Sequence, residues 1–394
     1  MPIGYLVTTA LIAGFTVVAL VPRRRPHLLM MISFRVGIVV SELPFLLMYY
    51  LVAATALALA QHDVASPGGW LAFGLAAAAT LGLGRIAWEG LGTRSTVDRA
   101  LADSLGADWQ ESIDPPTAAR LRRRLPIASI MVGPLRFRRG DVQRIANVRY
   151  GGAGTANQLD VYRHRSHPTR SPVMIHFHGG HFDGGHKNRE SRPLLYHLAS
   201  EGWLCISANY RVGPTARFPD HLVDGKRVIA WVREHAERYG ADPGAVFIAG
   251  SSAGGHIAAM AALTPNDPAY QPGFETADTS VSAAIILGGY YGSIDADDRP
   301  ASPVAYVNSD APPFFVTHGD RDALVPAQAA REFADRLGAE SANPVVCAEL
   351  HGGPHAFDLF HSLRFEAVVD AIERFAAWVN ARDGLEIERR TRHN

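Results

Sequence analysis

A serine set between glycines, where an apolar run meets a helical pattern, carries the strongest chemical signal in this chain. Ala249-Gly250-Ser251-Ser252-Ala253-Gly254-Gly255 fits G-x-S-x-G with Gly250, Ser252 and Gly254. Glycines at that spacing permit a tight strand-to-helix turn that lifts a hydroxyl out of a sheet, and the new helix offers backbone N–H groups. Ser251 is adjacent, but only Ser252 has glycine two residues to either side. A serine hydroxyl is a weak nucleophile at neutral pH and needs a histidine base oriented by a carboxylate. Two downstream loops supply these types. His318-Gly319-Asp320-Arg321-Asp322 is one, and His351-Gly352-Gly353-Pro354-His355 is the other. Ser252, Asp322 and His355 give the order serine, acid, base; Asp320 competes for the acid role and His351 for the base.

Upstream lies His176-Phe177-His178-Gly179-Gly180-His181. Gly179 and Gly180 would let backbone amides approach a developing oxyanion, with the Ala253 amide as a further donor. The rival reading makes His176, His178, His181 and His186 a metal site. No carboxylate or cysteine completes a ligand set there, and the glycine pair is better explained by backbone approach, so no metal is expected.

These residues need a frame, and the chain from about Ile145 onward supplies one. Ile145–Tyr150 and Gln158–Arg163 read as strands joined by a glycine-rich turn. Val173–His178, Leu204–Ala208, Val246–Gly250, Ala283–Leu287, Phe314–His318 and Val345–Leu350 are apolar runs of strand length. Helical patterns fall near Arg192–Glu201, Asp220–Tyr239, Ser252–Leu263, Ala327–Leu337 and Ser362–Asn380. This alternation predicts an α/β fold, a mainly parallel sheet with helices on both faces. The motifs then sit at the carboxyl ends of strands, where such sheets place their sites.

From about Tyr150 to Asn380 the chain resembles an α/β-hydrolase of the hormone-sensitive-lipase type, similar to bacterial carboxylesterases with a hydrophobic N-terminal region. The resemblance rests on Leu159-Asp160-Val161-Tyr162, His178-Gly179-Gly180, Asn209-Tyr210-Arg211, Phe218-Pro219, Asp224, Gly250 to Gly255, Ser302-Pro303, Gly319-Asp320-Arg321-Asp322 and His355-Ala356-Phe357. It implies Ser252 as nucleophile, Asp322 as the acid of G-x-x-D-x-x-V-P, His355 as the base of H-x-F, and a structural role for Asp224. Two positions depart from the pattern: His181 replaces the third glycine, and Ser251 replaces the usual aspartate before the nucleophile. The implied activity is serine carboxylesterase, hydrolysing acyl or acetyl esters through an acyl-enzyme without cofactor or metal. An amidase or arylformamidase on the same triad is the alternative enzyme, and a membrane scaffold with a dead hydrolase domain is the alternative of a different class.

The first ninety residues look different. Gly4–Val21 and Leu43–Ala60 carry no charge, and Trp70–Trp88 carries only Arg85; the second run extends back towards Met30 if Arg35 is passed over. Each is long enough for a bilayer, which needs about 20 apolar residues as helix. Three transmembrane helices are therefore expected within residues 1–91, with Glu42 near an interface. A basic connector follows over 92–144 and the catalytic domain over 145–394. In the connector, Ser95-Thr96-Val97-Asp98 reads as a capping box opening a short helix, and Pro115-Pro116 as a break. Arg120, Arg122, Arg123, Arg124, Arg136, Arg138 and Arg139 then suit either anionic headgroups or a solvated face. Arg23, Arg24, Arg25 and Arg35 lie between the first and second runs, only His62 and Asp63 lie between the second and third, and Arg85, Arg94, Arg99 and this connector come at the end of the third and beyond. Cytoplasmic retention of both arginine-rich flanks predicts an external N-terminus and a catalytic domain on the cytoplasmic face.

Composition narrows the partners. With 38 Lys+Arg against 38 Asp+Glu the chain of 394 residues has no net charge, which argues against nucleic acid. Two cysteines, Cys205 and Cys347, exclude a disulfide scaffold. The expected partners are a small-molecule or lipid ester and a membrane.

Overall fold

The structure is a computed structural model that describes residues 3–121, 124–294 and 301–392, so Arg122 and Arg123 lie outside the described residues. Eight strands form one sheet: β1 Val142–Arg149, β2 Gln158–His164, β3 Ser171–Phe177, β4 Leu204–Ala208, β5 Ala241–Ser251, β6 Ala283–Leu287, β7 Phe314–Gly319 and β8 Val345–Leu350. Their order is β1-β2-β4-β3-β5-β6-β7-β8. β1–β2 and β2–β4 pair antiparallel, and every later pairing is parallel. β3 to β7 are near-continuous apolar runs because both faces of the sheet are covered. β1 starts earlier than its apolar content suggests and reaches its partner through an irregularity between Ile145 and Val148.

The helices are α1 Ile3–Leu20, α2 His27–Glu42, α3 Pro44–Ala60, α4 Pro67–Leu105, α5 Pro115–Arg120, α6 Ile127–Met131, α7 Arg192–Ser200, α8 Asp220–Tyr239, α9 Ala253–Leu263, α10 Ala327–Glu340 and α11 Leu363–Arg392. One core packs α8, α9 and α10 on the first face of the sheet, through residues such as Ile257, Val228 and Phe333. The second packs α7 and α11 on the other face, and it takes in Val97 and Leu101 from the end of α4. A third cluster joins Tyr5, Ile12 and Ala19 of α1 to Leu51 and Ala58 of α3 and to Ala72, Ala76 and Leu83 of α4.

The N-terminal third differs from expectation in two respects. Ser95-Thr96-Val97-Asp98 opens no helix, because α4 runs unbroken for 39 residues from Pro67. The Ser95 and Thr96 hydroxyls donate back to the Gly92 carbonyl within the helix, and Asp98 instead accepts from Arg374. Burial of Val97 and Leu101 against α11 overrides the local capping signal. The helix start is at Ser66, whose Oγ accepts from the Gly69 N–H with Pro67 in the first turn. The second apolar run is likewise two helices, α2 and α3, bent by 80°. Pro44 drives Leu43 out of helical geometry (φ −122°, ψ 40°) and then begins α3. Pro115-Pro116 begins the single-turn α5, with Asp114 accepting from the Thr117 N–H. α1 and α4 are each long and apolar enough to cross a membrane, and the bent pair α2–α3 passes the same test together.

Candidate active site

The turn after β5 sets the geometry of the serine. Ser252 takes φ 52° and ψ −116°, a backbone conformation that side chains seldom adopt and that costs on the order of 1–3 kcal/mol. The glycines make it possible. A Cβ on Gly250 would lie 2.0 Å from the Gly254 carbonyl oxygen, and one on Gly254 would lie 2.1 Å from that of Phe177. The Ser252 N–H donates to the Leu287 carbonyl at the end of β6 (3.0 Å), which fixes the turn against the sheet.

Ser251 points the other way. Its hydroxyl is buried 3.0 Å from His176 Nε2 and donates to Asp358. Ser252 Oγ instead lies 2.9 Å from His355 Nε2. His355 Nδ1 lies 2.5 Å from Asp322 Oδ2, so Nδ1 carries the proton and Nε2 is left to accept from the serine. The structure thus brings Ser252, Asp322 and His355 together at the ends of β5, β7 and β8. The competitors pair with each other: His351 Nδ1 lies 2.8 Å from Asp320 Oδ2, and His351 is 61% exposed.

Asp322 is fully buried and well supplied with donors. Its Oδ1 accepts the N–H groups of Leu324 (2.8 Å) and Val325 (2.9 Å), and His318 Nε2 lies 3.0 Å from Oδ2. Burial alone would raise this carboxyl, but the His355 charge and the hydrogen bonds from His318 and His355 outweigh it and hold Asp322 well below the usual carboxylate range. At His355 burial opposes protonation, yet Asp322 overcomes it, so the imidazole is pushed above its ordinary value.

The predicted oxyanion donors divide. The Gly179 N–H donates to Glu190 Oε2 and so is turned away from the serine. Among the described residues the amides of Gly180, His181 and Ala253 have no such acceptor. Gly180 (φ 136°) and His181 (φ 55°) both lie in the left-handed region, which curls this loop beside the nucleophile. His181, Phe182, Ser252, Ala253, Tyr290 and Leu324 line a cavity of about 400 Å³, with Asp183, Arg217 and His221 on its polar side.

The other histidines of the first loop are engaged elsewhere: His178 Nδ1 donates to the Gly179 carbonyl, and its ring stacks on Tyr210 at 4.5 Å. Among the described residues no group of three or more His, Cys, Asp or Glu is placed to hold a metal. Asp224 accepts from the Arg211 backbone and guanidinium at 2.8–2.9 Å, away from the serine.

Sequence reasoning missed Glu190 and Asp358. Asp358 accepts from both Ser191 and Ser251 and so ties the base loop to the nucleophile turn. Burial raises both carboxyls, and the Asp358 charge adds to the effect at Glu190. Serine at 251, where the resemblance calls for aspartate, was the available hint that an acid from elsewhere fills this place. Also missed were two residues of the N-terminal segment: Phe34 touches the His355 ring, and Arg24 donates to the Asp322 carbonyl.

With this geometry in view, the chain can be set beside known proteins. It matches the BD-FAE family over residues 159–295 and 269–337. It is 37% identical to the probable carboxylic ester hydrolase LipM of Mycobacterium tuberculosis, over 96% of this chain and 94% of that one. It is also 37% identical to esterase LipQ of the same organism, over 75% of this chain and 77% of that one. Among solved structures it is similar to Thermogutta terrifontis esterase 2, with a TM-score of 0.52 and 24% identity over 60% of this chain and 94% of that one, a likeness of fold. The chain belongs to the α/β-hydrolases of the hormone-sensitive-lipase type, among the bacterial esterases, and is a carboxylic ester hydrolase.

Proposed function

We propose that this protein is a membrane-anchored serine carboxylesterase. Ser252 attacks the ester carbonyl while His355 Nε2 takes the hydroxyl proton, and Asp322 orients the ring and stabilises the imidazolium. The amides of Gly180, His181 and Ala253 receive the oxyanion, and Gly179, whose N–H donates to Glu190, braces the loop in this reading. His355 returns the proton to the leaving alcohol, and water then hydrolyses the acyl-enzyme by the same base. The observation that carries the reading is a single imidazole placed between Ser252 Oγ (2.9 Å) and Asp322 Oδ2 (2.5 Å). A panel of p-nitrophenyl esters and aryl amides tests it: ester turnover lost in Ser252→Ala is expected, and amide turnover in its place would overturn the ester assignment.

The anchor is assigned to residues 1–91, with 92–144 as a connector and 145–394 as the catalytic domain; α4 crosses the first of these boundaries as one unbroken helix. Supporting it are the lengths and compositions of α1, α4 and the α2–α3 pair, and exposed large apolar residues such as Leu81 (77%) and Trp88 (76%). Arginines at both flanks favour a cytoplasmic catalytic domain. A C-terminal alkaline phosphatase fusion expressed in a bacterium should then be inactive, and an active fusion would reverse the orientation.

A further inference from the structure

We propose that α2 is a positioning element of the active site, in which Phe34 holds the His355 base while the opposite face of the helix rests on the bilayer surface. The bilayer half of this proposal rests on the membrane-anchored reading.

The middle of α2 lies on the base loop, and its last residue meets the segment that follows that loop. The Phe34 ring meets the His355 ring edge-on, with centroids 5.7 Å apart and planes at 60°. One turn on, Gly37 abuts Pro354, the residue before the base: a Cβ there would lie 3.7 Å from the Pro354 Cβ. At the end of the helix, buried Glu42 accepts from Ser362 and Arg364, which follow the base loop. The acid is reached as well, since Arg24 Nε, just before α2, donates to the Asp322 carbonyl at 3.1 Å. Helix α2 therefore braces the loop of the base before and after His355, and its lead-in braces the loop of the acid.

The other face has no protein cover. Leu28, Ile32 and Val39 are 70%, 38% and 44% exposed, and with Arg35 they recur at helical spacing along one side. Exposed apolar side chains of this kind can settle at the boundary of headgroups and acyl chains, and Arg35 beside them can reach the headgroups. Position agrees: α3 packs along α4 through Leu51 and Ala58, so an 80° bend lays α2 across the end of the spans. The occupant of that face is then the lipid surface itself, continuous with the exposed faces of α1, α3 and α4.

The chemistry gives this arrangement a consequence. His355 must gain and lose a proton in every turnover while keeping its ring aligned between Ser252 and Asp322. A packed aromatic edge limits rotation of the imidazole and keeps water from it. Esters presented at a bilayer surface would meet the triad beside the helix that aligns it.

The test uses the full-length protein in nanodiscs of phosphatidylcholine with phosphatidylglycerol, and a short soluble p-nitrophenyl ester. Phe34→Ala should lower kcat by on the order of tenfold to a hundredfold, the scale of a misplaced reacting group, with little change in KM. The acid limb of kcat/KM should move to higher pH, because burial is what opposes protonation of His355 while Asp322, Glu190 and Asp358 all favour it. Phe34→Tyr, which keeps the ring, should restore both. Phe34→Leu, which keeps most of the apolar volume, should show the same changes in smaller degree and guards against loss of folding in the alanine variant. Folded variants with wild-type kcat and an unmoved acid limb would overturn the positioning role. Leu28→Gln/Ile32→Gln/Val39→Gln should also lower kcat in nanodiscs, and an unchanged kcat would overturn the bilayer coupling. Whether the wild-type chain needs detergent to stay dispersed is read separately. A chain soluble without it would defeat the anchored reading while leaving the Phe34 result intact.

Discussion

The nucleophile turn and the bracing of the acid and base loops are built on opposite principles. The turn is local: Gly250 to Gly255 contain nearly everything that strains Ser252 and lifts its hydroxyl from the sheet. The bracing is remote: Arg24 reaches Asp322, Phe34 reaches His355, and Glu42 reaches Ser362 and Arg364, each across about three hundred positions of chain. Glu89 adds a bidentate pair with Arg321 (2.7 and 3.0 Å), next to the acid. The geometry at Ser252 is thus set by one short segment, whereas the loops carrying Asp322 and His355 are contacted by helices from the start of the chain.

Substitutions at the turn should have the largest effects. Ser252→Ala should lose on the order of a million-fold in kcat, as removal of a triad nucleophile does. Ser251→Ala removes hydrogen bonds to His176 and Asp358, which should cost about 1–3 kcal/mol of stability while leaving much of the turnover. Steady-state kinetics on one ester separates the two, and equal losses would erase the distinction between the neighbouring serines.

Next come the loops. Asp322→Asn should lower kcat by roughly ten-thousandfold, because the amide no longer holds the required tautomer of His355. Asp320→Asn and His351→Ala disturb their mutual pair, the Gly352 amide and the edge of Glu89, none of which touches Ser252, and should stay near wild type. A deadlier Asp320→Asn would move the acid by two residues.

The remote bracing should register first as stability. Glu42→Ala leaves Arg364 buried without its partner and should cost about 3–5 kcal/mol in unfolding of the full-length protein. Glu42→Leu combined with Arg364→Met should recover much of that loss, since replacing both charges removes the penalty. A single variant as stable as wild type would show that the front helices do not brace this loop.

The smallest effect is a shift in pH. Asp322 raises the His355 value above the ordinary ~6.5 of an imidazole, and turnover needs the neutral ring. Activity should therefore fall as pH drops through that raised value, and in Asp322→Asn the residual acid limb should lie lower. An acid limb that stays put in Asp322→Asn would detach it from this pair.

The contrast also explains what could be read in the sequence. All eight strands were legible, β3 to β7 because buried parallel strands are short apolar runs punctuated by turns, and β1 and β2 from the glycine-rich turn between them, although β1 starts three residues before its apolar run. Gly250, Ser252 and Gly254 were legible because a tight turn demands glycine at fixed spacing. The continuation of α4 through Ser95-Thr96 was not, since only packing of Val97 and Leu101 on α11 decides it. Nor was the engagement of the Gly179 amide, which depends on Glu190 eleven residues away turning back onto it. Phe34 reads as one more apolar residue in a long run until the fold sets it against His355.

Covalent labelling identifies the nucleophile, which the proposed reaction places at Ser252. The full-length protein treated with a fluorophosphonate should gain one adduct by intact mass, mapped by peptide sequencing to Ser252, and Ser252→Ala should gain none while folding normally. An adduct on Ser251 or any other residue, or undiminished labelling of Ser252→Ala, would contradict the account.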